Sequence, residues 1–142
     1  MELASHHGWA LAAATATSAI ALSDAVTHGV TGDYSPFSDD SDLQTLVATA
    51  DVVHGLTYVA LAVVLLREAE RFRGTNRLAR GSRWVVLVSL AVLAVGFLFL
   101  APAIALRDAY DSGVYTGFSV VGAPAFFGMI FGSLALGLAV LR

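Results

Sequence analysis

The chain has 142 residues, of which 57% are hydrophobic and only 13% charged, with a net charge of −3. Soluble domains average about half apolar and a quarter charged, so this composition excludes a water-soluble globule and, equally, a disordered chain. There is no cysteine, which excludes a disulfide scaffold, thiolate-bound zinc, iron–sulfur clusters and thiol catalysis, and the length fits one domain.

A membrane-spanning helix needs roughly 20 mainly apolar residues. Four segments meet that demand, with expected bounds of 9–28, 46–66, 84–106 and 114–141. The first is rich in alanine and threonine. Its small residues around Ser18 imitate a signal-peptide cleavage site, but Met1 to Gly8 contains no basic residue. Signal peptides carry one there, so the segment is read as a retained span. The connection from Gly29 to Gln44 follows, with Gly32, Pro36 and the acids Asp33, Asp39, Asp40 and Asp42. The second span leads into a connection from Arg67 to Arg83 that holds six of the eight basic residues. Gly74 and Asn76 within it read as a helix stop. The third span, the most hydrophobic, opens on Trp84 as an interfacial anchor and has Ser89 as its one polar interruption. A short turn from Arg107 to Gly113 joins it to a fourth span studded with glycine.

Arginine-rich connections stay on the cytoplasmic side. Both termini, including Arg142, are therefore expected inside, and the two acidic connections outside. Short connections favour an all-α, antiparallel up-down-up-down bundle of four transmembrane helices. All the basic residues are arginine, a usage that accompanies GC-rich or salt-adapted genomes, and the expected location is a prokaryotic cytoplasmic membrane. The single basic cluster is explained by topology, so nucleic acid is not an expected partner.

Two stretches echo one another. Asp24 and His28 are spaced i, i+4, and Asp51 and His54 are spaced i, i+3, so each pair lies on one helical face. Thr17 extends the first stripe and Tyr58 the second. Both aspartates are expected roughly 9 Å below the outer surface, with His28 shallower and His54 deeper. Ionisable groups at such depth cost a few kcal/mol unless paired or solvated, and their default reading is functional. If the two helices are neighbours, the four side chains meet at one level.

Two carboxylates and two imidazoles are a ligand set for zinc, iron, manganese or copper. They equally suit a proton or cation relay. His28 and His54 as axial haem ligands fit less well, because they differ in depth. Arg107, at the outer end of the third span, is placed to hold one carboxylate ionised. The same residues can also be purely structural, bonding helix to helix. His6 and His7, adjacent at the first span's start, point apart and carry no site.

The outer end also holds Asp108, Tyr110, Asp111 and Tyr115. It reads either as a solvated cap or as a mouth that concentrates cations. Gly128-Met129-Ile130-Phe131-Gly132, followed by Gly137, is a small-residue stripe for close helix packing. It serves the bundle itself, a homo-oligomer, or attachment to a larger membrane complex. Pro102 and Pro124 kink the outer halves of their helices. No phosphate-binding glycine loop, Gly-x-Ser-x-Gly elbow or His-Glu-x-x-His motif is present. Three functions follow from these residues. One is a transport or binding protein with an outward-facing Asp/His site. The second is a metal- or haem-dependent membrane enzyme. The third is an accessory subunit without chemistry of its own.

Overall fold

In an apolar medium each backbone N–H must find its acceptor within its own segment, which leaves the helix as the workable form for these apolar runs. The computed structural model describes residues 3–38, 41–72 and 77–140, with the backbone alone given at 3–7, 71, 72 and 140. The side chains of His6 and His7, and Asp39, Asp40, Gly74, Asn76 and Arg142, lie outside that description. The described chain is all-helical: α1 (Leu3–Thr31), α2 (Gln44–Arg67), a 3₁₀ turn (Glu68–Phe72), α3 (Arg77–Val95), a π-helical turn (Gly96–Leu100), α4 (Ala101–Ala105) and α5 (Gly113–Val140). The stretch Arg77–Ala105 runs continuously, so four helices are long and apolar enough to cross a membrane.

They form an antiparallel bundle of an integral membrane protein. The order of packing is α1 on α2, α2 on α3, and α3 on α5, with α4 returning to α2. Among the described residues, α1 packs on no other helix to a comparable extent. The α1–α2 and α4–α5 connections share one end of the bundle, here the acidic end; the α2–α3 connection marks the arginine end.

Helix ends differ from the expected bounds for physical reasons. At the arginine end the third helix starts at Arg77 rather than Trp84. Its first turns carry exposed Arg77 and Arg80 and bury Ala79 and Ser82, so the helix begins outside the apolar layer. Arg83 Nε donates to the Leu65 carbonyl at 3.3 Å, tying this start to the end of α2. Trp84 is 58% exposed, as an interfacial anchor requires. At the acidic end α1 stops at Gly32, whose φ of 77° is open to glycine and costly for other residues. Asp108, at φ 49°, ends α4 in the same conformation. Ala109 N bonds the Ile104 carbonyl at 3.0 Å and Asp108 N that of Ala105 at 3.2 Å, the double bond of a Schellman motif.

Two interfaces rest on small residues. On α3 and its continuation, Ser82, Ser89 and Gly96 recur every seven residues and are buried. A Cβ at Gly128 would stand 2.5 Å from Ser89 Oγ, and one at Gly132 would stand 2.8 Å from Val86 Cγ2. The glycine stripe of α5 therefore faces α3 within the chain. Gly137 does not share this duty, since a Cβ there would meet no atom within 4 Å. On α2, Gly55 lets the π-turn approach; a Cβ there would lie 2.7 Å from Leu98 Cγ and 3.0 Å from Leu98 backbone N. Nearer the acidic end, Val47, Ala48 and Ala105 form a buried cluster with Tyr110 against it.

The π-turn has an identifiable cause. Pro102 has no N–H, and its ring crowds the carbonyl four residues back. The chain widens by one residue, with Ala101 N–H reaching the Gly96 carbonyl. Gly96 accommodates this because the Phe118 ring occupies the space a Cβ would need.

Gly55→Ala is expected to lower stability by about 1–3 kcal/mol, because its new methyl meets backbone that cannot move aside. Gly137→Ala, which meets open space, should stay within about 0.5 kcal/mol of the parent. Denaturant titration of the two variants in the same detergent checks both.

Candidate functional site

The two Asp–His pairs have separate surroundings. Asp24 lies about two turns before the end of α1, and Asp51 about two turns after the start of α2, so their heights match. On α1, however, Asp24 Oδ1 accepts from the backbone N–H of Ser35 at 3.3 Å. Ser35 is fully buried, and its Oγ accepts from Phe37 N at 3.3 Å. His28 is exposed and stacks on Tyr34, with ring centroids 5.2 Å apart and an interplanar angle of 22°. This pair thus clasps the α1–α2 connection to the end of α1.

On α2, His54 Nδ1 lies 2.7 Å from the Ala50 carbonyl. A carbonyl only accepts, so Nδ1 carries the proton in this bond and Nε2 is the basic nitrogen of the neutral ring. The imidazole packs on Phe97 at 5.7 Å, as does Tyr58 at 5.6 Å. Thr17 does not join Asp24. Its hydroxyl is 2.7 Å from that of Thr57, which in turn lies 2.9 Å from the carbonyls of Ala13 and Val53. Thr57 has one hydroxyl proton for the two carbonyls, so Thr17 donates to Thr57. This chain of bonds is the polar link between α1 and α2.

The expected four-residue ligand set is therefore not assembled. Among the described residues, no group of three or more His, Asp or Glu is positioned to hold a metal ion. The reason is rotation about the helix axes. Spacing puts each pair on one face, but the α1 face turns to its own loop.

Asp51 is different. It is 8% exposed and lines a cavity of about 100 Å³ with Phe97, Ile104, Tyr110, Tyr115, Phe118 and Ser119. Four elements build this wall. The π-turn supplies Phe97, α4 supplies Ile104, the α4–α5 turn supplies Tyr110, and α5 supplies the rest. The rings form two edge-to-face pairs. Phe97 meets Phe118 at 5.5 Å and 76°, and Tyr110 meets Tyr115 at 5.5 Å and 79°. Arg107 is exposed in the turn after α4 and does not line this cavity. Asp108 and Asp111, exposed in the same turn, surround Tyr110 in sequence with negative charge. Tyr110 and Tyr115, read from sequence as members of a surface cap or mouth, are half-buried lining residues. The signal that could have found them is their place at a helix start level with Asp51.

Two larger hollows flank the bundle. One of about 620 Å³ lies between α3 with its π-turn and α5. The other, of about 930 Å³, lies between α2, α3 and α5. Both are overwhelmingly apolar, with Glu68 and Ser133 the polar residues of the second. Neither gathers polar groups as the Asp51 cavity does.

Compared with protein-family models, curated proteins and solved structures, the chain has no significant match.

Asp24→Asn keeps an oxygen to accept from Ser35 and is expected to be close to silent. Asp24→Ala removes the acceptor from a partly buried amide and should cost about 1 kcal/mol, with faster hydrogen exchange at residues 33–38. For the polar link, a double-mutant cycle of Thr17→Val and Thr57→Val in detergent unfolding should give a coupling of about 0.6 kcal/mol.

Proposed function

We propose that this is a small membrane protein that binds a monovalent cation or a proton at Asp51, acting as a binding or transport protein. The observation that carries this reading is one carboxylate held at 8% exposure in a cavity with the hydroxyl-bearing residues Tyr110, Tyr115 and Ser119. An intramembrane carboxylate is costly and is retained where it meets an ion or a proton path. Hydroxyl groups can accept from or donate to whatever the carboxylate holds. A single carboxylate balances one positive charge, which favours a monovalent guest over the divalent metals that the four-residue set would have suited.

Orientation fits the role. With the arginine-bearing connection placed inside by the positive-inside rule, both termini are cytoplasmic and the cavity, lined by Tyr110 and Tyr115, lies at the acidic outer end. Asp108 and Asp111 there raise the local concentration of cations. The site draws on one chain. Gly128 and Gly132 meet α3, so the reading needs no second copy to complete it.

Asp51→Asn should abolish cation- or proton-dependent signals while leaving the helix content intact. Asp24→Asn should leave them at parental levels. Both variants, reconstituted in liposomes with a pH-sensitive dye and tested against imposed cation gradients, provide the measurement. Parental behaviour of Asp51→Asn would end the reading.

A further inference from the structure

The walls of the Asp51 cavity are more aromatic than a bare metal ion or a proton relay requires, and that bears on the chemical class of the guest. We propose that the cavity takes an ammonium-type cation, a small primary to quaternary amine head group, held between the Asp51 carboxylate and the four rings of Phe97, Tyr110, Tyr115 and Phe118. This rests on the reading of Asp51 as a cation site and names its ligand.

Size is the first argument. The volume of about 100 Å³ is about three times the roughly 30 Å³ that one water occupies in the liquid. A metal ion with a shell of about six waters needs nearly twice that space. A metal ion seated within this hollow keeps no more than about half of that shell.

Donor chemistry is the second argument. Hard cations replace lost water with six or more oxygens. The side chains lining this hollow offer the carboxylate of Asp51 and the hydroxyls of Tyr110, Tyr115 and Ser119; the others are Phe97, Ala101, Ile104 and Phe118, which offer no oxygen. An alkylammonium is large, diffuse in charge and weakly hydrated, and it gains from ring faces what a metal ion gains from oxygens.

The third argument is how the rings are held. Each pair meets nearly at a right angle, at 76° and 79°, so the two rings of a pair hold each other edge to face. Phe97 is braced from outside the cavity by His54 and Tyr58, and Phe118 by Gly96. The cage is therefore preformed by packing, which lowers the ordering cost of binding. One carboxylate then supplies the counter-charge that an aromatic box by itself lacks.

The test uses the full chain in detergent micelles, titrated calorimetrically with tetramethylammonium, methylammonium and sodium chlorides at fixed ionic strength. An ammonium is expected to bind at least tenfold tighter than sodium, and its methyl protons should shift upfield in NMR through the ring currents. Asp51→Asn should weaken this binding at least tenfold. Tyr115→Leu should do likewise, while Tyr115→Phe, which keeps the ring and loses the hydroxyl, should stay within about twofold. Thermal melts confirm that each variant is folded, and Phe97→Leu replaces Tyr115→Leu if the latter is not. Sodium binding that depends on Asp51 and equals or exceeds ammonium binding would overturn the ligand class and leave the cation site standing. Equal losses in Tyr115→Phe and Tyr115→Leu would overturn the role of the rings. Cation and proton responses unchanged by Asp51→Asn would remove both readings.

Discussion

A helix in an apolar medium has no water to rescue a backbone group left without a partner, and of the two prolines within the spans, Pro102 and Pro124, the first is met by a change of helix type. Pro102 has no N–H to give, and its ring pushes on the preceding turn. The helix answers by widening to a π-turn over Gly96–Leu100. Much of the acidic half follows from that. The wider turn carries Phe97 to its place among His54, Tyr58 and Phe118. It brings Leu98 so near to α2 that glycine is required at position 55. It sets Ala101 and Ile104 along the same hollow as Asp51. π-Turns inside helices often sit at functional sites; here the turn builds one wall of the cavity.

Two aspartates at the same height have come to opposite uses. Asp24 meets a loop amide and holds the chain where it leaves the helix. Asp51 sits among rings and hydroxyls deep in the packing. Their neighbours decide this, not their own chemistry. Among the described residues α1 packs extensively on α2 alone, so a polar residue near its end finds its own connection first. α2 stands between α1, α3 and α4, so a polar residue there is enclosed.

The spans, their number and their antiparallel order were legible in the sequence because length and hydropathy alone determine them. Asp51 was legible as a residue needing explanation, since nothing in the topology accounts for a carboxylate in that position. Its companions were harder to see. The spacing of Asp24 and His28 says that they share a face but not where that face points, and α1 turns Thr17 toward Thr57. That bond joins residues forty positions apart, beyond the reach of any periodicity. Tyr110 and Tyr115 look like interfacial tyrosines because they lie in and just after a polar turn; their burial depends on α4 packing onto α2 after the π-turn. The π-turn itself left a faint trace in Gly96 and Pro102, a residue without a side chain shortly before one without a donor. The third helix starts at Arg77, ahead of the span expected from Trp84, and that extension was hidden because arginines at a helix start look, in one dimension, like a loop.

The solitary attachment of α1 also bears on how the molecule is assembled. α1 is synthesised before the one helix it docks on, and until α2 arrives the Thr17 hydroxyl can bond back to its own helix, as Thr15 does with the Leu11 carbonyl at 2.8 Å. Docking then exchanges one hydrogen bond for another, so the gain comes from the packing of α1 along α2. α2, α3, α4 and α5 hold each other through many more surfaces. Among the described helices α1 thus depends on one interface, and a substitution that spoils α2's outer face is one that no other helix can make good for α1.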